Sequence, residues 1–248
     1  MAQKKAEVGF FIPELHRGEV TVRIIGHTPL YYNAMSNKVK AMLLSGGGKK
    51  TAAEKREIKH NPEEEFRSSV YTQPEGDTLL CFPVTAFKNA MATAALETPG
   101  ISKSSVNRLV YVMGEKAPIY GIPQLKMDVV RSADMNKTPD IRTRAFLPRW
   151  ATEITVSYIS QSVTGHSIVS MLANAGVICG IGDFRQEKGK GNYGLFRVDD
   201  DMDGSDEWNE IKKLDRDQQV YAMENPILAD DETIQLMEYL QGERNKRL

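Results

Sequence analysis

From Glu19 to Gly26 the chain alternates polar and apolar residues, with Val20, Val22 and Ile24 on one side, the period-two pattern of a half-buried strand. Thr28-Pro29-Leu30 ends it. Leu79-Leu80-Cys81-Phe82 is a short apolar strand that runs into Pro83. From Val84 to Leu96 the apolar spacing becomes helical and alanine-rich, until Pro99-Gly100 stops it. Ser104 to Met113 reads as a second, short helix with Ser104 or Ser105 as its N-cap. Strands are predicted over Pro123 to Arg131, Ile141 to Leu147 and Thr152 to Ile159. Ser167 to Ala175 returns to helical spacing, with Gly176 as its stop, and Tyr193 to Val198 is the last strand.

In order these elements give strand, helix, strands, strand, helix, strand. That is the plan of an α+β protein with a ferredoxin-like (RRM-type) βαββαβ core. The core is assigned to residues 1–198, with an insertion at about 33–77. The insertion holds the Gly46-Gly47-Gly48 triplet, a charged helix-like stretch from Ala52 to Lys59 and a short hairpin strand from Arg67 to Tyr71. Residues 199–248 are assigned to an acidic C-terminal tail with short helices around Glu207 to Leu214 and Asp231 to Leu240.

The net charge of −1 conceals an asymmetry. From Asp199 to Leu248 fifteen acidic residues face six basic ones, a net of −9, and the rest of the chain carries +8. A basic body suits a polyanionic partner, and an acidic tail beside it suits regulation or tethering. No apolar run reaches the ~18 residues that span a bilayer, and Met1-Ala2-Gln3-Lys4-Lys5 opens no apolar signal core. A cytoplasmic protein without a membrane partner is therefore expected. Cys81 and Cys179 lie in apolar stretches and read as reduced core residues. His16, His27, His60 and His166 are scattered without zinc-ligand spacing, so no metal or cofactor is expected.

The most distinctive segment runs from Gly180 to Phe196, Gly-Ile-Gly-Asp-Phe-Arg-Gln-Glu-Lys-Gly-Lys-Gly-Asn-Tyr-Gly-Leu-Phe. It joins a helix to a strand, the reverse of the order in dinucleotide-binding folds and P-loops, which argues against both. Two readings compete. The segment is a tight structural connector, or a phosphate backbone passes close to Gly180, Gly182, Gly189, Gly191 and Gly194 while Arg185, Lys188 and Lys190 supply charge. Upstream, Lys126, Arg131, Lys137, Arg142, Arg144 and Arg149 cluster between strands, with Phe146 and Trp150 among them. Arg142 and Arg144 are two apart and share one sheet face. Gly46 to Thr51 fails as a Walker loop, because Leu43 stands where the first glycine should be and Lys50 where Ser or Thr should follow the lysine.

The βαββαβ plan followed by G-x-G-x₆-G-x-G-x-Y-G-x-F resembles the RAMP superfamily of CRISPR-associated proteins. Within it, the likeness is to the backbone subunits that polymerise along guide RNA in effector complexes. The passage Phe82-Pro83-Val84-Thr85-Ala86-Phe87-Lys88-Asn89-Ala90-Met91 is similar to the strand-to-helix passage of those subunits. Similar stand-alone proteins occur in phage genomes, and the likeness spans residues 19–198. It implies a non-catalytic protein that coats single-stranded nucleic acid, RNA or DNA, and self-assembles along it, with basic grooves on the phosphates and a hairpin between bases. Other effector or recombination subunits are further implied partners, in the cytoplasm of a cell that a phage has infected or not. One alternative is a phage single-stranded DNA-binding protein in recombination or replication. Another is a RAMP-type RNA endonuclease with His16 or His27 as base, although no second acid or base of convincing spacing accompanies either. Asp199 to Gly204 resembles the start of a calcium loop, with Glu210 at the twelfth position; the fit is partial and no metal is assigned.

Overall fold

The structure, a computed structural model, describes residues 12–44, 60–131, 138–188, 191–201 and 203–246. The glycine triplet, the stretch from Ala52 to Lys59, Lys137, Gly189 and Lys190 lie outside the described residues. In chain order, β1 (Arg17–Gly26) and β2 (Leu30–Tyr31) lead to α1 (Asn37–Leu44), α2 (Pro62–Ser68), β3 (Tyr71–Thr72) and β4 (Leu80–Pro83). Next come α3 (Val84–Ala94), α4 (Lys103–Leu109), β5 (Val110–Val112), β6 (Lys116–Pro118), β7 (Gln124–Arg131) and β8 (Pro139–Leu147). Then follow β9 (Ala151–Ile159), α5 (Gly165–Ile178), β10 (Phe196–Val198), α6 (Asp206–Lys212), α7 (Arg216–Glu224), β11 (Ile227–Leu228) and α8 (Asp231–Asn245).

The central sheet has the order β10-β1-β9-β5, and every neighbouring pair is antiparallel. With α3 following β1 and α5 following β9, this is the ferredoxin-like arrangement. Alternation along β1 puts Val22 and Ile24 into one core with Phe87 and Met91 of α3, Leu172 of α5 and Phe196 of β10. Ile25 faces the other way and joins Tyr120, Ala151, Trp208 and Ile211 in a second, smaller cluster.

Several expectations are corrected. The second core strand is β5, whose residues the apolar spacing had placed at the end of a helix. Val106 and Val110 do stand one helical turn apart, but Val110 and Val112 alternate toward the core and pair with Tyr158 and Val156. That helix is capped by Ser102, whose hydroxyl accepts from the Ser105 amide at 3.1 Å, not by Ser104 or Ser105. The strands expected over 123–131 and 141–147 are not part of the central sheet but form a second one, β11-β7-β8-β2, whose Leu125, Met127, Ala145 and Leu147 pack into the same core. Arg67 and Ser68 belong to α2, so only Tyr71 and Thr72 are extended. Gly176 does not stop α5, which continues to Ile178 because the missing side chain admits the backbone of Phe196. Thr164 caps its start, accepting from the Ser167 amide at 3.2 Å.

The acidic C-terminal segment does hold helices, and it is built into the fold rather than appended. Trp208 and Ile211 of α6 are buried. Arg216 donates to the carbonyls of Gln73, Pro74, Gly76 and Thr78 at 2.5–3.3 Å. β11 pairs in parallel with the start of β7. The hydroxyl of Thr233 on α8 accepts from the Met127 amide at 3.2 Å, and Asp230, the N-cap of α8, pairs with Lys126. Burial alone would push the Asp230 carboxyl up, but hydrogen bonds from Lys126 and Thr233 hold it down at about 2. Its contribution to stability is therefore complete above the ordinary carboxylate range and is lost as pH falls toward 2. The stability difference between wild type and Asp230→Asn, measured by urea melts, is expected to be constant above about pH 5 and to shrink steadily as pH falls to and through about 2.

Among the described residues no helix is long and apolar enough to cross a membrane. Cys81 and Cys179 are buried free thiols.

Candidate nucleic-acid interface

The β7–β8 ladder runs from Gln124↔Phe146 out to Arg131↔Pro139. Its alternation places Lys126 and Asp128 on one face with Phe146, Arg144 and Arg142, and β2 sets Tyr31 beside Phe146. The glycine-rich segment lies over the inner end of this face. It delivers Asp183 to within 3.3 Å of Arg144, and the Phe184 ring to 4.5 Å from the same guanidinium. Tyr31 sits at the centre of the rings, 5.1 Å from Phe146, 5.5 Å from Phe184 and 4.7 Å from Tyr193. Lys126 stands 5.5 Å from the centre of the Phe146 ring.

Arg144 and Lys126 are direct cross-strand neighbours, an arrangement of like charges that needs anions nearby. Asp183, Asp128 and Asp230 provide them. Arg144 is only 3% exposed; burial pulls its pKa down while Asp183 and Asp128 push it back up. Burial raises the Asp128 carboxyl, against Lys126 and Arg144, which lower it. Burial also drives the Tyr31 phenol well above its ordinary value, so it donates to Asp128 as a neutral hydroxyl, at 3.3 Å. Arg142 and Arg144 do share a face, but only Arg142 reaches solvent.

The predicted cations thus separate into groups. Arg144 and Lys126 are bound within the fold. Arg149 is exposed but pairs with Glu210 at 3.1 Å, so the C-terminal segment neutralises it. Arg185 pairs with Glu187 at 3.1 Å, and Lys188, largely exposed, lies 3.8 Å from the same carboxylate. Arg131 and Arg142 are exposed on the outer half of the hairpin, with no ion-pair partner among the described residues. Trp150 is fully buried and donates to the Thr28 carbonyl at 2.9 Å, which makes it a core residue.

The glycines approach the chain's own backbone. A side chain on Gly182 would stand 2.7 Å from the Tyr31 carbonyl oxygen, and one on Gly180 would stand 2.7 Å from that of Gly194. Gly191 lies against the Phe184 carbonyl and Gly194 against that of Ile181. The segment is stitched to its surroundings by Asp183 donating to the Tyr31 carbonyl at 3.1 Å and Gly194 to that of Pro29 at 2.8 Å. Phe184 and Tyr193, half-buried on this surface, were not singled out from sequence, because nothing local marks them as neighbours of Tyr31. Phe184 is the one described non-glycine residue at positive φ, +52°.

The solvent face of the central sheet is mostly polar, and Tyr111 of β5, beside Ser157, is the exposed aromatic residue on it among the described residues. The face carries Glu19, Thr21 and Arg23 beside Glu153, Thr155 and Ser157, and α6 covers one end. His16 and His27 bracket β1 and so lie roughly 35 Å apart at strand rise. Among the described residues no group of three His, Cys, Asp or Glu side chains is placed to hold a metal ion. Glu210 is turned to Arg149, and Asp199 accepts from the Ser205 amide at 3.0 Å.

Fold and surface together define an α+β protein whose ferredoxin-like core is joined by a second sheet, with arginines at the outer half of its β7–β8 hairpin and aromatic rings at the inner end. No family model matches the chain, and no curated protein matches it. A solved structure described as the cryo-EM structure of the Type III-B Cmr-beta bound to cognate target RNA is similar over 73% of this chain and 58% of that one. The TM-score is 0.40 and the identity 14%, a likeness too distant to bear on function.

Proposed function

We propose that the protein is a non-catalytic single-stranded nucleic-acid binder, with RNA as its ligand, that self-assembles along the strand in the manner of a CRISPR effector backbone subunit. The observation that carries this reading is one face of the hairpin: Arg142, exposed and without a carboxylate partner among the described residues, shares it with Arg144, whose guanidinium lies 4.5 Å from the half-buried Phe184 ring, while Arg131 adds a second exposed cation at the outer end of the opposite face. Unpaired cations beside π-faces are what a flexible strand with phosphates and unstacked bases requires, and a duplex cannot offer its bases to the rings.

Labelled single- and double-stranded RNA and DNA oligonucleotides, titrated by fluorescence anisotropy across a salt series, test it. Single strands are expected to bind more tightly than duplex, RNA more tightly than DNA, and longer strands to give complexes that grow in steps of one protein mass. Arg131→Ala with Arg142→Ala is expected to reduce the log–log salt slope by about 1.4, while Arg149→Ala, already paired with Glu210, leaves it unchanged. Equal affinity for duplex, or cleavage of the probe, overturns the reading.

A further inference from the structure

Strand β1 is ten residues long and pairs with β9 from Arg17 to Ile25. On its other side it pairs with β10 only over Ile24, Ile25 and Gly26. The last contact on that side is the Arg23 carbonyl, which accepts from the Asp199 amide at 2.9 Å. His27 also donates to that side, to Leu195, whereas Gly26 donates to Trp150 on the β9 side. Odd-numbered residues of β1 therefore aim their backbone groups at the β10 edge. Below Arg23, the N–H and C=O groups of Glu19 and Thr21 meet no strand among the described residues.

The chain leaves this edge for a specific reason. Asp199 accepts from the Ser205 amide at 3.0 Å and Asp201 from the Asp203 amide at 3.1 Å, and Gly204 at φ +87° turns the chain toward Trp208. The turn leaves a cleft of about 410 Å³ beside the edge, bordered by Thr21, Val22, Val198, Asp199, Asp200 and Asp201. An open edge of a core strand is a template for another strand, and native proteins seldom leave one bare.

We infer that this edge receives an extended, basic peptide segment of a partner protein as an added strand. The charge of the surroundings selects the occupant. Glu19, Asp200 and Asp201 are exposed along the edge, so lysine or arginine at alternate positions of the incoming strand is attracted. A second copy of β1 brings its own Glu19 to this acidic edge, and its antiparallel registers include ones that set Glu19 against Glu19 and Arg17 against Arg23, repulsions that a lysine-bearing strand avoids. The inference is independent of the nucleic-acid reading, since edge and hairpin lie in different sheets.

Hydrogen exchange followed residue by residue on the full chain tests the edge itself. Amides of Val20 and Val22, bonded to β9, are expected to exchange slowly, and those of Glu19 and Thr21 rapidly. The probe is a blocked hexapeptide of alternating lysine and valine, with its glutamate–valine counterpart as control. Adding the lysine peptide is expected to protect Glu19 and Thr21, while the glutamate peptide leaves them unprotected. Glu19→Lys, a surface change, is expected to weaken binding of the lysine peptide about tenfold and to favour the glutamate peptide. Three results overturn the inference: Glu19 and Thr21 as protected as Val20 in the protein alone, equal binding of both peptides, or a dimer whose dissociation exposes these two amides.

Discussion

Replacing Gln219 with leucine is expected to lower stability by about 3–5 kcal/mol. Gln219 is wholly buried on α7, and its carboxamide uses both ends. The oxygen accepts from the amides of Leu79 and Leu80, each at 2.9 Å. The nitrogen donates to the carbonyls of Ile119 and Gly121 at 2.8 and 3.1 Å. Leucine matches the volume but leaves two N–H and two C=O groups unsatisfied, each costing about 1–3 kcal/mol where water cannot reach. Urea unfolding followed by tryptophan fluorescence measures this, and an unchanged midpoint would refute the role. Removal of residues 199–248 is expected to be worse still, because it uncovers Ile25 and Tyr120 as well as these backbone groups. The truncated chain is expected to aggregate, where a dispensable acidic tail would leave a soluble protein.

The second large effect is expected at Gly194. Its φ of +72° disfavours any β-carbon, and alanine there would also be driven into the Ile181 carbonyl, held in place because the Ile181 amide donates to the Gly194 carbonyl at 2.9 Å. Gly194→Ala is expected to destabilise by about 4 kcal/mol or more, through overlap with rigid backbone. Lys188→Ala, in the same segment, is expected to leave the melting temperature within about 1 °C, because the side chain is largely exposed and its nearest carboxylate is 3.8 Å away. Thermal melts of the two variants separate the segment's structural and electrostatic contributions. Equal stability for both would contradict the packing described.

The elements legible in the sequence are those long enough to express a period. β1, β9, α3 and α5 each run nine residues or more, and each was anticipated within a few residues. β5 has three residues and no turn before it, so its valines were absorbed into the helical pattern of α4. The hairpin was recognised as two strands but placed in the wrong sheet, since alternation specifies a face and not a neighbour. The C-terminal segment reads as a tail because its buried apolar residues are few and spaced among many acids, and anchors such as Arg216, Gln219 and Thr233 are polar, so their anchoring leaves no trace in a hydropathy pattern. At the candidate site, alternation put Arg142 and Arg144 on one face, where the structure has them. What separates them is the cover supplied by Asp183 and Phe184, a contact across some forty positions that no local signal encodes.

The pairing of β1 with distant strands also sets the order in which the molecule can be assembled. Arg23 meets Glu153 across 130 positions, and the Thr28 hydroxyl meets the Leu195 amide across 167. At synthesis rates of about 5–20 residues per second, β1 waits roughly 6 to 26 seconds before β9 has been synthesised to receive it. Through that interval Val22, Ile24 and Ile25 have no sheet to enter. Such non-local topology makes the conformational search slow, and the nascent chain is expected to depend on chaperones that shield extended apolar segments until the second half of the sheet arrives.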